Sequence, residues 1–105
     1  MLMNHKEQIE DVMELGNNMM KILENLSKDT LDYIQALYYI GIELYSETES
    51  NEEVSRKDIF QEHITQVKLI QGDKKDQVVY LSNKKDLSKY LTIAISFIGW
   101  DIEQN

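Results

Sequence analysis

The side chains that could act as nucleophiles or ligands are few in this 105-residue chain, and none has a recognisable catalytic spacing. There is no cysteine, which excludes thiolate catalysis, disulfides and cysteine-bound zinc. No Gly-x-Ser-x-Gly turn presents a serine nucleophile. The glycines at positions 16, 41, 72 and 99 are isolated, whereas a phosphate-binding loop needs them clustered. The sequence predicts that the protein is not an enzyme and needs no cofactor.

The two histidines, His5 and His63, are the side chains best suited to exchange protons near neutral pH. His63 follows Ile59 and Phe60, with which it shares the apolar side of a predicted helix. A single histidine on an apolar face is usually a packed residue whose hydrogen bonds are satisfied. We therefore interpret His63 as a structural residue rather than a catalytic residue or a ligand.

A run of glutamates in the middle of the chain is the densest group of like charges. Five fall within eleven residues: Glu43, Glu47, Glu49, Glu52 and Glu53. A calcium loop needs alternating oxygen ligands, a glycine at its middle and a closing glutamate, and the run lacks this arrangement. The sequence indicates no metal site here. It favours a solvated loop at 47–53, and secondly an acidic patch that faces a partner.

The charge is distributed unevenly along the chain, whose formal net charge is −8. Residues 1–55 carry twelve acids and three bases, whereas residues 56–105 carry seven acids and eight bases. High net charge keeps a protein soluble, which is the simplest explanation. An acidic face also repels phosphate and attracts a surface rich in lysine and arginine. We expect a protein partner with a basic surface, bound through the five glutamates with Trp100 as an aromatic anchor.

The stretch Asp29–Tyr45 is the element around which the rest of the chain is expected to pack. It is apolar around most of a helical circumference, which is typical of a helix buried against several neighbours. Asp29 is its predicted N-cap, and the helix is predicted to end near Ser46. Only one narrow strip on it is polar: Asp32, Gln35 or Ala36, Tyr39 and Glu43.

A first helix, Met3–Leu26, is predicted from apolar residues that recur at steps of three and four. Gly16 in this helix and Gly41 in the central one would let two backbones approach closely. We therefore predict that the two helices cross there as an antiparallel hairpin. The stripe also contains methionines that we interpret as core or dimer-seam residues: Met13, Met19 and Met20.

Capping signals mark two further helices in the second half of the chain. Ser55, with Asp58 three residues later, predicts a short third helix. Asn83, with Asp86 three residues later, predicts a final helix from residue 84 to about residue 103. Within that final helix, residues 91–97 also alternate with period two, so a strand remains an alternative over residues 90–98.

Two short apolar runs, Val67–Gln71 and Gln77–Leu81, lie between these helices. Their valine and isoleucine content favours a β-hairpin around the charged loop 72–76. The alternative is that the third helix continues to Gln71 and stops at Gly72. The predicted fold is a mainly α (α+β) single domain, residues 1–105, with a helical hairpin, a short third helix, a small β-hairpin and a C-terminal helix.

This element order is similar to that of winged-helix DNA-binding domains, and the comparison rests on that order alone. The candidate DNA-contacting residues lie in the third helix and in the hairpin that would form the wing: Arg56, Lys57, Lys74 and Lys75. The net charge opposes this function, because neutralisation of phosphates dominates affinity for DNA.

The N-terminal residues include acids where a secretion signal needs an apolar run. The longest apolar run, Tyr90–Trp100, is about half of the roughly 20 residues that a membrane span needs. We expect a cytoplasmic protein that does not contact membranes. The predicted function is a small acidic interaction module, an inhibitor or immunity-type protein that masks a basic or nucleic-acid-binding surface. The alternatives are a winged-helix transcriptional regulator and a structural homodimer assembled through the first and last helices.

Overall fold

The computed structural model describes residues 1–14, 19–46, 55–70 and 72–103, and over these ranges the protein is helical without strands. A 3-10 helix, Leu2–His5, leads into the first α-helix. The described residues form six α-helices: α1 (Lys6–Glu14), α2 (Met19–Glu24), α3 (Lys28–Ser46), α4 (Arg56–Leu69), α5 (Lys74–Ser82) and α6 (Leu87–Ile98).

Helix α3 forms the centre of the core, which confirms the prediction made from its apolar circumference. Every residue from Thr30 to Gly41 except Tyr39 is buried. Ile34 and Leu37 have no exposed surface, and burying side chains of this size stabilises the fold by about 1.5–3 kcal/mol each. Helices α6 and α4 cover most of α3, and α5 packs against it through polar side chains.

The predicted crossing of the first helix with α3 at Gly16 and Gly41 is wrong as to the partner. A Cβ atom at Gly41 would overlap the backbone of Tyr90, so α6 is the helix that crosses α3 at this glycine. Gly16 lies outside the described residues. Helix α6 turns one apolar face to the core, and its buried residues recur at helical spacing: Leu87, Leu91, Ala94 and Ile98.

The predicted β-hairpin is also wrong, because α4 and α5 occupy its place. Helix α4 ends at Leu69, and the turn that follows leads into α5 at Lys74. In a strand, Val67 and Leu69 would face the same side. In the structure Val67 is buried and Leu69 is 73% exposed, as helical geometry requires. The alternative of a longer third helix is closer to the structure.

The chain is helical at the end of α4 because of the side chains that this helix buries. Phe60, Ile64 and Val67 recur at steps of four and three, so that one face of a helix brings all three into the core. A preference of valine and isoleucine for strands is weak compared with this burial. The described residues therefore form neither the predicted β-hairpin nor the winged-helix order of elements, and the fold class is all-α rather than α+β.

Several helix ends differ from their predicted positions. Ser55 caps α4 as predicted, with its hydroxyl oxygen accepting from the backbone N–H of Asp58 at 3.4 Å. At α3, however, the cap is Ser27, whose Oγ accepts from the backbone N–H of Thr30 at 3.2 Å. The last helix begins after Asp86 rather than Asn83.

Helix α6 also ends earlier than predicted. It stops at Ile98, because Gly99 has φ +83°, a left-handed conformation that side chains with a Cβ rarely adopt. The chain then turns, and Ile102 is buried again. The carboxylate of Glu103 accepts a hydrogen bond from the backbone N–H of Leu2 at 2.5 Å, which ties the end of the described chain to its beginning. Residues 90–98 lie within α6, so the alternative of a strand over these residues is wrong.

In the described ranges, the 3-10 helix, α1 and α2 occupy most of the predicted first helix, Met3–Leu26. Met13 and Met19 are half-buried and pack against the core, which agrees with their interpretation as packing residues. Met20 is 44% exposed, beside Val79 of α5, which is 43% exposed. With Val78 these two residues line an apolar groove between α2 and α5.

Candidate functional site

Of the five glutamates predicted to bind a partner, four lie outside the described residues: Glu47, Glu49, Glu52 and Glu53. The fifth, Glu43, is on α3, and its Oε2 lies 2.9 Å from Nε2 of His63 on α4. The other ring nitrogen of His63, Nδ1, lies 2.8 Å from the carbonyl oxygen of Ile59. Both nitrogens therefore face acceptors, and the ring joins α4 to α3. This geometry agrees with a structural role for His63.

Trp100, the predicted aromatic anchor, lies in the turn after α6 and is half-buried against the core. The ammonium group of Lys6 lies 5.9 Å from the centre of its indole ring, at the outer limit for a cation–π contact. One face of the ring is therefore close to a cation of the chain itself. The role of Trp100 in binding a partner stays a prediction.

The four basic residues proposed for DNA binding are exposed, but they do not form one reading element. Arg56 and Lys57 begin α4, whereas Lys74 and Lys75 begin α5. Lys74 and Lys75 lie beside the apolar groove between α2 and α5. Because the wing is absent from the described structure, their DNA-binding role lacks the framework on which it was predicted. Nothing in the described contacts tests it further.

An acidic stripe runs along the exposed side of α1. Its residues recur at steps of three, one and three, which places them on one side of the helix: Glu7, Glu10, Asp11 and Glu14. Ile9 and Val12 bury the opposite side. The lysine of this helix, Lys6, is directed to Trp100. Among the described residues, no cationic group lies within 4.0 Å of any stripe carboxylate.

The acidic stripe opposes the stability of its own helix. It contains two like-charge pairs at a spacing of four residues, Glu7 with Asp11 and Glu10 with Glu14. Such pairs destabilise a helix by about 0.2–0.5 kcal/mol each. The stripe therefore costs stability without a compensating ion pair among the described residues.

A cleft lies between α3, the turn after α4 and α5. Its volume is about 680 Å³, and it carries both signs of charge on its walls: Lys28, Asp29, Asp32, Lys68, Asp73 and Asp76. Beside it a smaller cavity of about 260 Å³ shares several of these residues and reaches Tyr39 and Tyr80. We refer to the larger cavity as the α3–α5 cleft.

A continuous hydrogen-bond network joins the polar strip of α3 to α5, where the α3–α5 cleft adjoins the smaller cavity. Gln77 is at its centre. Its amide nitrogen donates to Asp32 at 3.0 Å and to Gln35 at 2.8 Å, while its carbonyl oxygen accepts from Lys28 at 3.0 Å. Lys28 also lies 2.7 Å from Asp32. Asp32, Gln35 and Gln77 are all buried, and no buried side-chain polar atom of the described residues lacks a partner.

Two tyrosine hydroxyls extend this network outward. Gln35 donates to the hydroxyl of Tyr39 at 3.0 Å, and Tyr39 donates to the hydroxyl of Tyr80 at 3.1 Å. Burial raises the pKa of Tyr80 to about 12. In the core, burial and the nearby Glu103 carboxylate raise the pKa of Tyr33 to about 12.

Comparison with known proteins adds no family to these observations: no model of a protein family matches the chain, and neither the curated proteins nor the solved structures include a match. The described residues contain no group of three or more acidic or histidine side chains placed to hold a metal ion. Of the described helices, none is both long enough and apolar enough to cross a membrane.

Sequence reasoning found half of the network at the α3–α5 cleft. The polar strip on the central helix was visible, since Asp32, Gln35 and Tyr39 recur at steps of three and four. Its partner was missed, because Gln77 lay in a run interpreted as a strand. The spacing of the acidic stripe of α1 is also present in the sequence. The predicted partner-binding surface was instead based on the denser run of glutamates at 43–53.

We expect the raised tyrosine pKa values to appear in an alkaline titration followed by tyrosinate absorbance. Tyr33 and Tyr80 have folded-state pKa values of about 12, above the value of 10.0 for a free tyrosine. Their contribution to stability is complete below pH 10 and is lost as the pH rises through 12. Between these values the native protein should therefore form fewer tyrosinates than the protein in denaturant. Coincident titration curves would contradict the burial of both hydroxyls.

Proposed function

We propose that this protein is a small acidic interaction module that binds a basic surface of another protein and masks it. The observation that carries the proposal is the acidic stripe of α1: four acids on one side of a helix, three exposed and Glu10 half-buried, without a cationic partner within 4.0 Å among the described residues. A role as an inhibitor or immunity-type protein fits such binding, since covering a basic surface blocks its contact with phosphates.

Charge complementarity supports this function in two ways. An acidic stripe accelerates the encounter with a basic surface, and it suppresses association with acidic partners and nucleic acids. The stripe also destabilises α1, and a partner rich in lysine or arginine would remove that repulsion on binding. The formal net charge of −8 acts in the same direction over longer distances.

The two alternative functions have less structural support than this proposal. The winged-helix regulator has lost its structural basis, because α4 and α5 replace the hairpin. The structural homodimer, assembled through the first and last helices, stays a prediction. Neither alternative is supported by a surface feature comparable to the acidic stripe.

The test is to neutralise the stripe with four substitutions, Glu7→Gln, Glu10→Gln, Asp11→Asn and Glu14→Gln. We expect this stripe variant to unfold at a higher temperature than the wild type, because the like-charge pairs are removed. We also expect it to bind an oligolysine peptide at least about tenfold more weakly, because the facing carboxylates are lost. Calorimetry gives both quantities, and affinity capture with mass spectrometry identifies natural partners.

A matched control separates the stripe from net charge. Four exposed acids elsewhere, in α4 and in the turns on either side of α6, are neutralised together: Asp58, Glu62, Asp86 and Asp101. Both variants lose four negative charges, so a general effect of charge would weaken peptide binding equally in both. Equal weakening, or unchanged binding by the stripe variant, would contradict the proposal. Captured partners without basic surfaces would also contradict it.

A further inference from the structure

The α3–α5 cleft already holds a cation, and that cation belongs to the chain itself. The ammonium group of Lys28 lies 2.7 Å from Oδ1 of Asp32 and 3.0 Å from Oε1 of Gln77. The two ends of the ion pair differ in exposure: the Lys28 side chain is 44% exposed, whereas that of Asp32 is 10% exposed. The oxygens are therefore fixed in the protein, and the ammonium enters from the solvent side.

The oxygens that hold this ammonium belong to side chains that are also held by hydrogen bonds to other residues. The amide nitrogen of Gln77 donates to both Asp32 and Gln35, and this fixes the side chain so that its carbonyl oxygen faces Lys28. Gln35 is in turn bonded to Tyr39. Because these bonds do not involve Lys28, the carboxylate and the carbonyl form a preorganised seat for a cation. We refer to these two oxygens as the cation seat.

The walls of the cleft also favour a cation. Besides Asp32 they carry the carboxylates of Asp29, Asp73 and Asp76, against the two ammonium groups of Lys28 and Lys68. If the ammonium of Lys28 leaves the cation seat, four carboxylates and the ammonium group of Lys68 remain on the walls of the cleft. Ile70, which is 58% exposed at the same cleft, offers apolar surface to the aliphatic part of an incoming side chain.

Lys28 is the exposed end of this ion pair, and it reaches Asp32 from one helical turn earlier on the same helix. Once displaced, its half-exposed side chain regains full hydration in the solvent. An incoming lysine or arginine would keep the same two acceptors paired, so the buried Asp32 would not be left without a cation.

From this geometry we infer that the α3–α5 cleft receives a lysine or arginine side chain of the basic partner, and that Lys28 occupies the cation seat until the partner arrives. This inference rests on the proposed function and adds to it a specific recognition site. Lys28 acts as an intramolecular competitor: it keeps the seat satisfied in the free protein and lowers the affinity for every basic ligand.

The test compares two variants that each lose one positive charge. Lys28→Met removes the competitor and keeps an unbranched apolar side chain. Lys21→Met removes an exposed lysine of α2 that does not line the cleft. With an oligolysine peptide in calorimetry, we expect Lys28→Met to tighten binding about tenfold and Lys21→Met about twofold, because only the first vacates the cation seat.

A third variant tests the carboxylates on the walls of the cleft. It combines Asp76→Asn with Lys28→Met, and it should bind the peptide more weakly than Lys28→Met alone. Thermal unfolding of each variant confirms that it is folded. Equal tightening by Lys28→Met and Lys21→Met would overturn the cation seat, and the proposed function would still stand if the α1 stripe variant binds more weakly than its control. No binding of the peptide by any variant would overturn both the seat and the proposed function.

Discussion

Substitution of Gly41 by alanine is expected to reduce the free energy of unfolding by about 3 kcal/mol, although alanine is the better helix former. The added Cβ would overlap the backbone of Tyr90, so that α3 and α6 would have to move apart. An overlap with backbone cannot be relieved by rotating a side chain. The gain of about 1 kcal/mol in helix propensity is therefore smaller than the cost of separating two packed helices.

Gly72→Ala is the matched control for this substitution. A Cβ at Gly72 would have no atom within 4 Å, so we expect its effect on the free energy of unfolding to stay within about 0.5 kcal/mol. Urea denaturation of both variants gives the two values. If Gly41→Ala were as stable as the wild type, the close crossing of α3 and α6 at this position would be wrong.

The central helix could be predicted from sequence because its signal does not depend on the rest of the chain. A stretch that is apolar around its circumference must be surrounded, whichever helices surround it. Which helix comes closest is a different question. Gly41 indicated a close contact, but only the three-dimensional structure identifies the backbone of Tyr90 as its partner.

The hairpin error has a definite physical origin. The run Val67–Gln71 contains residues that prefer strands, and a run this short carries too little periodicity to separate period two from period 3.6. The distinction lies in the longer window, where Phe60 and Ile64 precede Val67 at helical spacing. The strand preference comes from a run of five residues, whereas burial is decided over the whole helix.

The two parts of the candidate site also differ in how far the sequence predicts them. The acidic stripe of α1 is a property of one helix and follows from spacing alone, so it was predictable in principle. The α3–α5 cleft depends on residues that are 45 positions apart, Asp32 and Gln77, and such a pairing is set by the packing of the helices. No periodicity within one element contains that information.

The network at the cleft also explains why α5 packs where it does. Its buried residues are few, Gln77, Val78 and Leu81, and one of the three is polar. A buried amide stabilises only an arrangement in which its donors and acceptor are all paired. Gln77 has such a pairing at one place along α3, opposite Asp32 and Gln35. The polar strip therefore fixes the position of α5 relative to α3, while Val78 and Leu81 provide apolar burial.

Gln77→Glu is expected to cost about 3 kcal/mol at neutral pH, although it changes the shape of the side chain very little. The amide nitrogen that donates to Asp32 at 3.0 Å and to Gln35 at 2.8 Å becomes an oxygen. Both acceptors lose their donor, and a second carboxylate stands beside Asp32. Lys28 offsets part of this repulsion, because it already lies between the two side chains.

The pH dependence distinguishes this mechanism from simple loss of packing. The neighbouring carboxylate of Asp32 raises the pKa of the introduced acid in the folded state above its value in the unfolded chain. The destabilisation is therefore smallest below the unfolded value of about 4.3 and increases as the pH rises through the folded-state pKa. Gln61→Glu, the same change on the exposed side of α4, should alter stability by less than about 0.5 kcal/mol. Urea denaturation of the two variants and the wild type, at acidic and at neutral pH, measures the difference. A cost for Gln77→Glu that is the same at both pH values would mean that charge repulsion at Asp32 is not its cause.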